Sequence, residues 1–196
     1  MPDVTIHSPP NLRDKFARTL WLFVWAVLYR PSPAPFFWWR RFLLRLFGAE
    51  VGAGAHPYSS VRIWAPWNLV MNAGSCLAAG VDCYCVEKIV LGRDAVVSQR
   101  AFLCTATHDH REPGFRLMTG PITISENAWV AAEAYIGPGV TVGAGAVAGA
   151  RAVVVRDVPP GAVVVGNPAR IVANEKQPVR TIVPLPTAQV PTAQAR

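Results

Sequence analysis

Residues 124–158 repeat every six positions, a period that fits neither an α-helix nor an alternating β-strand. Aliphatic residues stand at Ile124, Val130, Ile136, Val142, Ala148 and Val154. Four positions after each comes a second small apolar residue: Ala128, Ala134, Val140, Ala146, Ala152 and Val158. In a chain that is 52% hydrophobic, filling every one of these slots by chance would take roughly a few thousand trials. Such a period marks an all-β solenoid, a parallel β-helix of hexapeptide repeats. Short strands stack coil upon coil, the repeated apolar side chains fill the prism, and each coil leans only on its neighbours. Function must then come from the outer surface and from the interruptions.

The rhythm begins weakly at Val51 and stays blurred to about Cys83. It sharpens at Cys85, Leu91, Val97 and Leu103, with Ile89, Ala95, Ala101 and Thr107 four residues after each. From Asp109 to Gly120 it breaks into His, Arg, Glu, Pro and Gly, which predicts a loop projecting from one face. Pro159-Pro160-Gly161 reads as the exit from the repeat. Gly137, Gly139, Gly143 and Gly145 hold fixed phase and are expected at coil corners rather than in a nucleotide-binding loop.

Upstream, Asn11 can cap a helix running to about Tyr29, with Asp14 in its first turn, and prolines 31, 33 and 35 break it. A second helix is expected over residues 36–47, ended by Gly48. The chain therefore divides into an apolar helical segment (1–48), a β-helix (49–172) and a Pro/Thr/Gln/Ala-rich tail expected to be mobile (173–196). Residues 21–29 are too few to span a bilayer, which takes about 20 apolar residues, and no cleavable signal precedes them. Trp21, Trp25, Trp38 and Trp39, with Arg40, Arg41 and Arg45, suit a membrane interface. They suit equally well a helix packed under the prism or against a neighbouring chain.

Net charge is +7, carried by sixteen Arg and three Lys. A basic excess is compatible with nucleic acid, anionic lipid or a phosphorylated small molecule. The absence of any long Arg/Lys run and the nearly uncharged repeat disfavour nucleic acid. Cys76, Cys83, Cys85 and Cys104 form no CxxC and read as free thiols of a reducing, cytoplasmic compartment, with no metal site.

His108 ends the repeat that starts at Leu103, in the phase that faces outward, and Trp129 holds the same phase in its own repeat. An imidazole in a site that excludes water is a natural general base near neutral pH. The plainer reading makes His108 a polar loop residue and Trp129 an interface anchor. His110 is a second-choice base. Cys104 lies four residues before His108, but a covalent Cys–His pair lacks an evident third, orienting residue. Arg156 and Arg170 flank the end of the repeat and could hold phosphates through bidentate contacts.

The strings Trp129-Val130-Ala131-Ala132, Ile136-Gly137-Pro138-Gly139-Val140-Thr141-Val142-Gly143, Val147-Ala148-Gly149-Ala150 and Gly166-Asn167-Pro168-Ala169-Arg170 are similar to the hexapeptide-repeat acyltransferases of the galactoside, maltose and Nod-factor acetyltransferase group. Residues 41–49, Ser98-Gln99 and Leu103-Cys104-Thr105-Ala106-Thr107-His108-Asp109-His110 resemble the colanic acid biosynthesis acetyltransferases within it. The resemblance implies a left-handed parallel β-helix, an exception to the usual right-handed crossover, and a homotrimer with acetyl-CoA in the cleft between neighbouring prisms. It further implies His108 as the catalytic base, Trp129 lining the acetyl-CoA cleft and Ala132 and Ala150 against the pantetheine. Arg156 and Arg170 would meet the CoA phosphates, and Asp82 and Tyr84 would lie on the acceptor side. The implied reaction is metal-free O-acetylation of a sugar hydroxyl in exopolysaccharide biosynthesis, on a sugar or a lipid-linked oligosaccharide. N-acetylation of an amino sugar and a non-catalytic solenoid scaffold are the alternatives. A γ-class carbonic anhydrase would need three zinc-binding histidines, and only His108 and His110 lie near the insertion, with His56 far upstream.

Overall fold

The computed structural model describes residues 4–6, 12–111 and 113–173. Most of them form a three-sided prism of parallel β-coils. One face stacks Glu50–Val51, Leu69–Met71, Ile89–Leu91, Ile122–Ile124 and Thr141–Val142. The second stacks His56–Pro57, Cys76–Leu77, Val96–Val97, Trp129–Val130, Val147–Ala148 and Val163–Val165. The third stacks Arg62–Ile63, Asp82–Tyr84, Phe102–Cys104, Tyr135–Ile136 and Val153–Val154. All twelve periodic residues between Ile124 and Val158 are buried in the shared core. Alanine recurs at the fifth position, where the chain turns a corner and room is least. Gly145 turns such a corner at φ +65°, and Gly143 lies so close to the next coil that a Cβ would come within 2.5 Å of the Pro160 nitrogen.

The blurred early rhythm has a geometric cause. Glu50 registers with Val70 and Val70 with Val90, so the first two coils take twenty residues each, whereas Thr123 registers with Thr141 after eighteen. The surplus sits at the corner between the third and first faces, in residues 64–68 and 84–88. Cys85 is buried there, next to buried Cys83 of the third face, and Ala65 N–H donates to Cys85 Sγ at 3.3 Å.

Two boundaries differ from the sequence reading. The projection begins at Thr105 rather than Asp109. Ala106–His108 and Leu117–Thr119 form an antiparallel arm, and Thr5–Ile6 adds a third strand to it. Thr107, expected inside, is exposed on this arm, because buried Thr105 takes the corner and bonds Tyr84 O at 2.8 Å. His108 is therefore an arm residue, not an outward residue of a coil, and shares no face with Trp129. The repeat also runs past Pro159-Pro160-Gly161. Val158 bridges Val142, Val163–Val165 pairs with Val147–Ala148, and Arg170–Ala173 then folds back antiparallel along that last strand. The expected tail lies outside the described residues beyond Ala173, which is itself buried.

The N-terminal segment forms α1 (Leu12–Val24), a π-helical turn (Trp25–Tyr29) and α2 (Phe37–Leu46); the expected Asn11 cap lies outside the described residues. Each coil donates its N–H groups to carbonyls of the next, as in His56 N to Ser75 O and Arg62 N to Val81 O. The equivalent carbonyls of the first coil have no coil beneath them. The helices supply the missing donors. Arg45 bonds Val51 O, Arg41 bonds Ala55 O and Arg40 bonds Pro57 O. Tyr29 Oη bonds Tyr58 O, Trp25 Nε1 bonds Val61 O and Trp21 Nε1 bonds Ile63 O. A bare edge that would template foreign strands is thus closed. For Trp21 and Arg40 the packing reading therefore holds, since both are fully buried, and Trp39 Nε1 is spent on Leu28 O at 3.0 Å. Of the four tryptophans named for the interface, Trp38 alone is exposed. Among the described residues no helix is long and apolar enough to cross a membrane.

Candidate active site

The arm fixes the orientation of His108. Its Nδ1 lies 2.8 Å from Phe115 O, and its ring stacks on the Phe115 ring at 4.4 Å with 5° between planes. A carbonyl only accepts, so Nδ1 carries the proton, and the neutral ring then has its lone pair on Nε2, the tautomer a general base needs. Phe115 reaches this double contact at φ +44°, a left-handed conformation uncommon for a bulky residue.

Directly opposite residues of an antiparallel pair project from the same side. His108 pairs with Leu117, and Leu117 lines a cleft of about 330 Å³ at the root of the arm. Asp14 and Arg18 enter that cleft from α1, four residues apart and so on one side of the helix. Trp64, Trp67, Asn68, Tyr84 and Glu87 enter from the enlarged coil corners. The Arg18 guanidinium lies 4.8 Å from the Trp64 ring centroid, and its Nε is buried without a hydrogen-bond partner. A buried donor left unmade is costly, and a ligand oxygen would relieve it. Trp64 and Tyr84 stand 5.1 Å apart and also border a second cleft of about 250 Å³ that contains Asp82, Arg62, Leu22 and Phe102. Asp82 lies 3.5 Å from Arg62. Burial pushes its carboxyl above the usual range, and the guanidinium opposes that rise.

Aromatic faces beside carboxylates, a guanidinium and a carboxamide suit a polyhydroxylated ligand: rings cover its C–H surface while the polar groups meet its hydroxyls. Asp82 and Tyr84 do fall together. The sequence reading missed Arg18, Trp64, Trp67, Asn68 and Glu87 and took Asp14 only as a helix-start signal. The i, i+4 spacing of Asp14 and Arg18 was the available clue.

The other predicted residues fall into two further groups. Arg156 and Arg170 line one groove of about 440 Å³ at the far end of the prism, with Val155, Asp157, Pro168 and Ile171. Trp129 is half exposed on the second face, and its Nε1 donates to Ser98 Oγ at 2.8 Å. Ala132 and Ala150 stack in successive coils at the next corner, where Arg151 N donates to Ala132 O at 3.0 Å. That corner is pinned by Glu133, whose carboxylate accepts from Arg151 and Arg100, contacts that hold it below the usual carboxylate range. Within one chain the arm thus springs from a different edge of the prism than Trp129, Ala132 and Ala150. Cys104 is buried and its thiol donates to Ala106 O at 3.1 Å, away from any role as nucleophile. Among the described residues no cluster of His, Cys, Asp and Glu could hold a metal ion.

A prism of stacked hexapeptide coils is the architecture of the left-handed β-helix acetyltransferases. The hexapeptide-repeat acetyltransferase VCA0836 of Vibrio cholerae, solved with acetyl coenzyme A, superposes with a TM-score of 0.75 at 22% identity, over 85% of this chain and 91% of that one. No family model matches the sequence. Over 153 residues the chain is 39% identical to the protein of Escherichia coli K12 named as the colanic acid biosynthesis acetyltransferase WcaF, covering 78% of this chain and 84% of that one. It is 38% identical over 137 residues to Nodulation protein L of Rhizobium meliloti, covering 68% and 74%. The chain belongs to the hexapeptide-repeat acetyltransferases.

Proposed function

We propose that the protein is a cytoplasmic O-acetyltransferase that moves acetyl from acetyl-CoA to a sugar hydroxyl of an exopolysaccharide building block. The observation that carries this reading is His108, held by Phe115 O in the base-competent tautomer on the cleft side of the arm. Nε2 takes the acceptor hydroxyl proton as that oxygen attacks the thioester carbonyl. A C–O bond forms, the C–S bond breaks, and the proton passes to the departing thiolate. No acyl-enzyme is needed, since holding both substrates in one cleft supplies the proximity. Acetyl-CoA is the co-substrate, and the thioester is already activated without a metal. The names of the relatives support the same direction: one belongs to colanic acid biosynthesis, and others of the same fold are a maltose O-acetyltransferase and a galactoside acetyltransferase. One observation favours a second reading. The carboxylates of Asp14, Glu87 and Asp82 around the clefts would also suit an amino sugar, acetylated on nitrogen.

The groove that Arg156 and Arg170 share fits the phosphates of CoA, where planar guanidinium groups make paired contacts. Replacing both with Ala should raise the KM for acetyl-CoA by about tenfold or more and leave kcat nearly unchanged, the pattern of uniform binding loss. Higher salt should weaken binding by the wild type more than by the double variant. A loss of kcat at constant KM would remove this role.

The complete site is proposed to form between chains of a homotrimer. Support comes from the arm and the Trp129–Ala132–Ala150 group, which lie on different edges of one prism and meet when prisms pack side by side in a closed ring. Mixing inactive His108→Ala chains with inactive Trp129→Ala chains should restore part of the activity. A fully active monomer in sedimentation would contradict the shared site.

A further inference from the structure

Both N-terminal helices carry apolar side chains on the side turned away from the prism. With 3.6 residues per turn, Trp21 of α1 faces the first coil, and Asp14 and Arg18 on the same side border the cleft. Leu12, Phe16, Leu20 and Phe23 run along the opposite side and are 45–83% exposed. In α2, Arg40, Leu43 and Leu44 are buried, whereas Trp38 and Phe42 are 59% and 50% exposed on the far side. A surface helix of a soluble domain normally turns charge to that side. Exposed apolar helix faces of this kind mark an interaction surface.

The rim of the face is cationic. Arg13 and Lys15 flank the α1 stripe on either side, and Arg30, exposed with its guanidinium 5.3 Å from the Trp25 ring centroid, follows the π-helical turn. Between residues 12 and 48 the sole carboxylate is Asp14, which belongs to the inward side. A second copy docking through the same face would set these cations against their own counterparts. An anionic lipid surface accepts both parts at once: apolar side chains enter the head-group boundary and the cations meet phosphate.

We propose that α1 and α2 together form a monotopic docking face for an anionic bilayer. The arginines of α2 take no part, being committed to the first coil. The helices lie in the interface plane, and the cleft between α1 and the prism is held close to the membrane. This assignment does not depend on the acetyl-transfer reading, because lipid binding is measured without either substrate.

The test is flotation of the full-length protein with vesicles of phosphatidylcholine alone and of phosphatidylcholine with phosphatidylglycerol. The wild type should float with the anionic vesicles and much less with the neutral ones, and added salt should weaken it. A Phe16→Ser/Phe23→Ser/Trp38→Ser variant should lose binding by at least about tenfold. Its sedimentation coefficient and its transfer to a soluble acceptor should stay at wild-type values. An Arg13→Gln/Lys15→Gln/Arg30→Gln variant, which leaves the stripe intact, should lose the preference for anionic vesicles. No flotation of the wild type, equal flotation of the Ser variant, or an altered assembly state of that variant would each overturn the proposal, the last by showing that another copy covers the face.

Discussion

His108→Ala is expected to lower kcat by about 10²–10⁴-fold, the usual size of a lost general base. The imidazole is exposed on the arm and fills no core space, so folding and acetyl-CoA affinity should be unchanged. His110→Ala, at an exposed arm residue two positions on, should be far milder. Phe115 offers a finer control. Its carbonyl sets the tautomer and its ring sets the plane of His108. Phe115→Gly keeps the carbonyl and removes the stacking ring, so it should lower kcat more than it changes KM. Wild-type turnover in His108→Ala would end the general-base account.

The second large effect concerns stability. Arg40 is fully buried, and its guanidinium donates to Pro57 O at 2.7 Å, Ser32 Oγ and Pro33 O at 2.9 Å and Ala34 O at 2.6 Å. It also lies 4.6 Å from the Phe37 ring centroid. Arg40→Met would fill much of the volume but strand these acceptors, one of them on the open edge of the solenoid. Each buried acceptor left unmade typically costs about 1–3 kcal/mol, so losing several together costs on the order of 3–5 kcal/mol. For a domain of this size that corresponds to a fall in Tm of roughly 6–20 °C, readable by calorimetry. Arg40→Lys should recover little, because a point charge cannot serve four acceptors from a planar fork. An Arg40→Met protein that melts with the wild type would show that α2 is dispensable as a cap.

The two variants probe features that differed greatly in how far they could be read from sequence. The prism was legible because its inward positions admit only small apolar residues, so Ile124 to Val158 advertise their own geometry. The first coils were not, since two extra residues at the corners of residues 64–68 and 84–88 shift the phase. The arm was legible as an interruption but not as a hairpin. Thr107 happens to fill the next periodic slot, and nothing local says that Thr105 turns the corner instead. The capping of the first coil was invisible for a deeper reason. Trp21, Trp25, Tyr29, Arg40, Arg41 and Arg45 all donate to backbone carbonyls, and a carbonyl leaves no mark in a sequence. The same side chains, read by composition, look like membrane anchors. The cleft was half legible. Asp82 and Tyr84 came from resemblance, but Arg18, Trp67, Glu87 and Leu117 meet only through tertiary packing.

The most direct measurement is acetyl transfer itself, with labelled acetyl-CoA and wild-type or His108→Ala protein offered soluble and lipid-linked oligosaccharides. The wild type should place label on the saccharide in a form that mild alkali releases, as it does an ester, and His108→Ala should bind CoA but transfer almost nothing. Label that resists alkali would mean an amide and an amino-sugar acceptor. Transfer at wild-type rate by His108→Ala would contradict the mechanism outright.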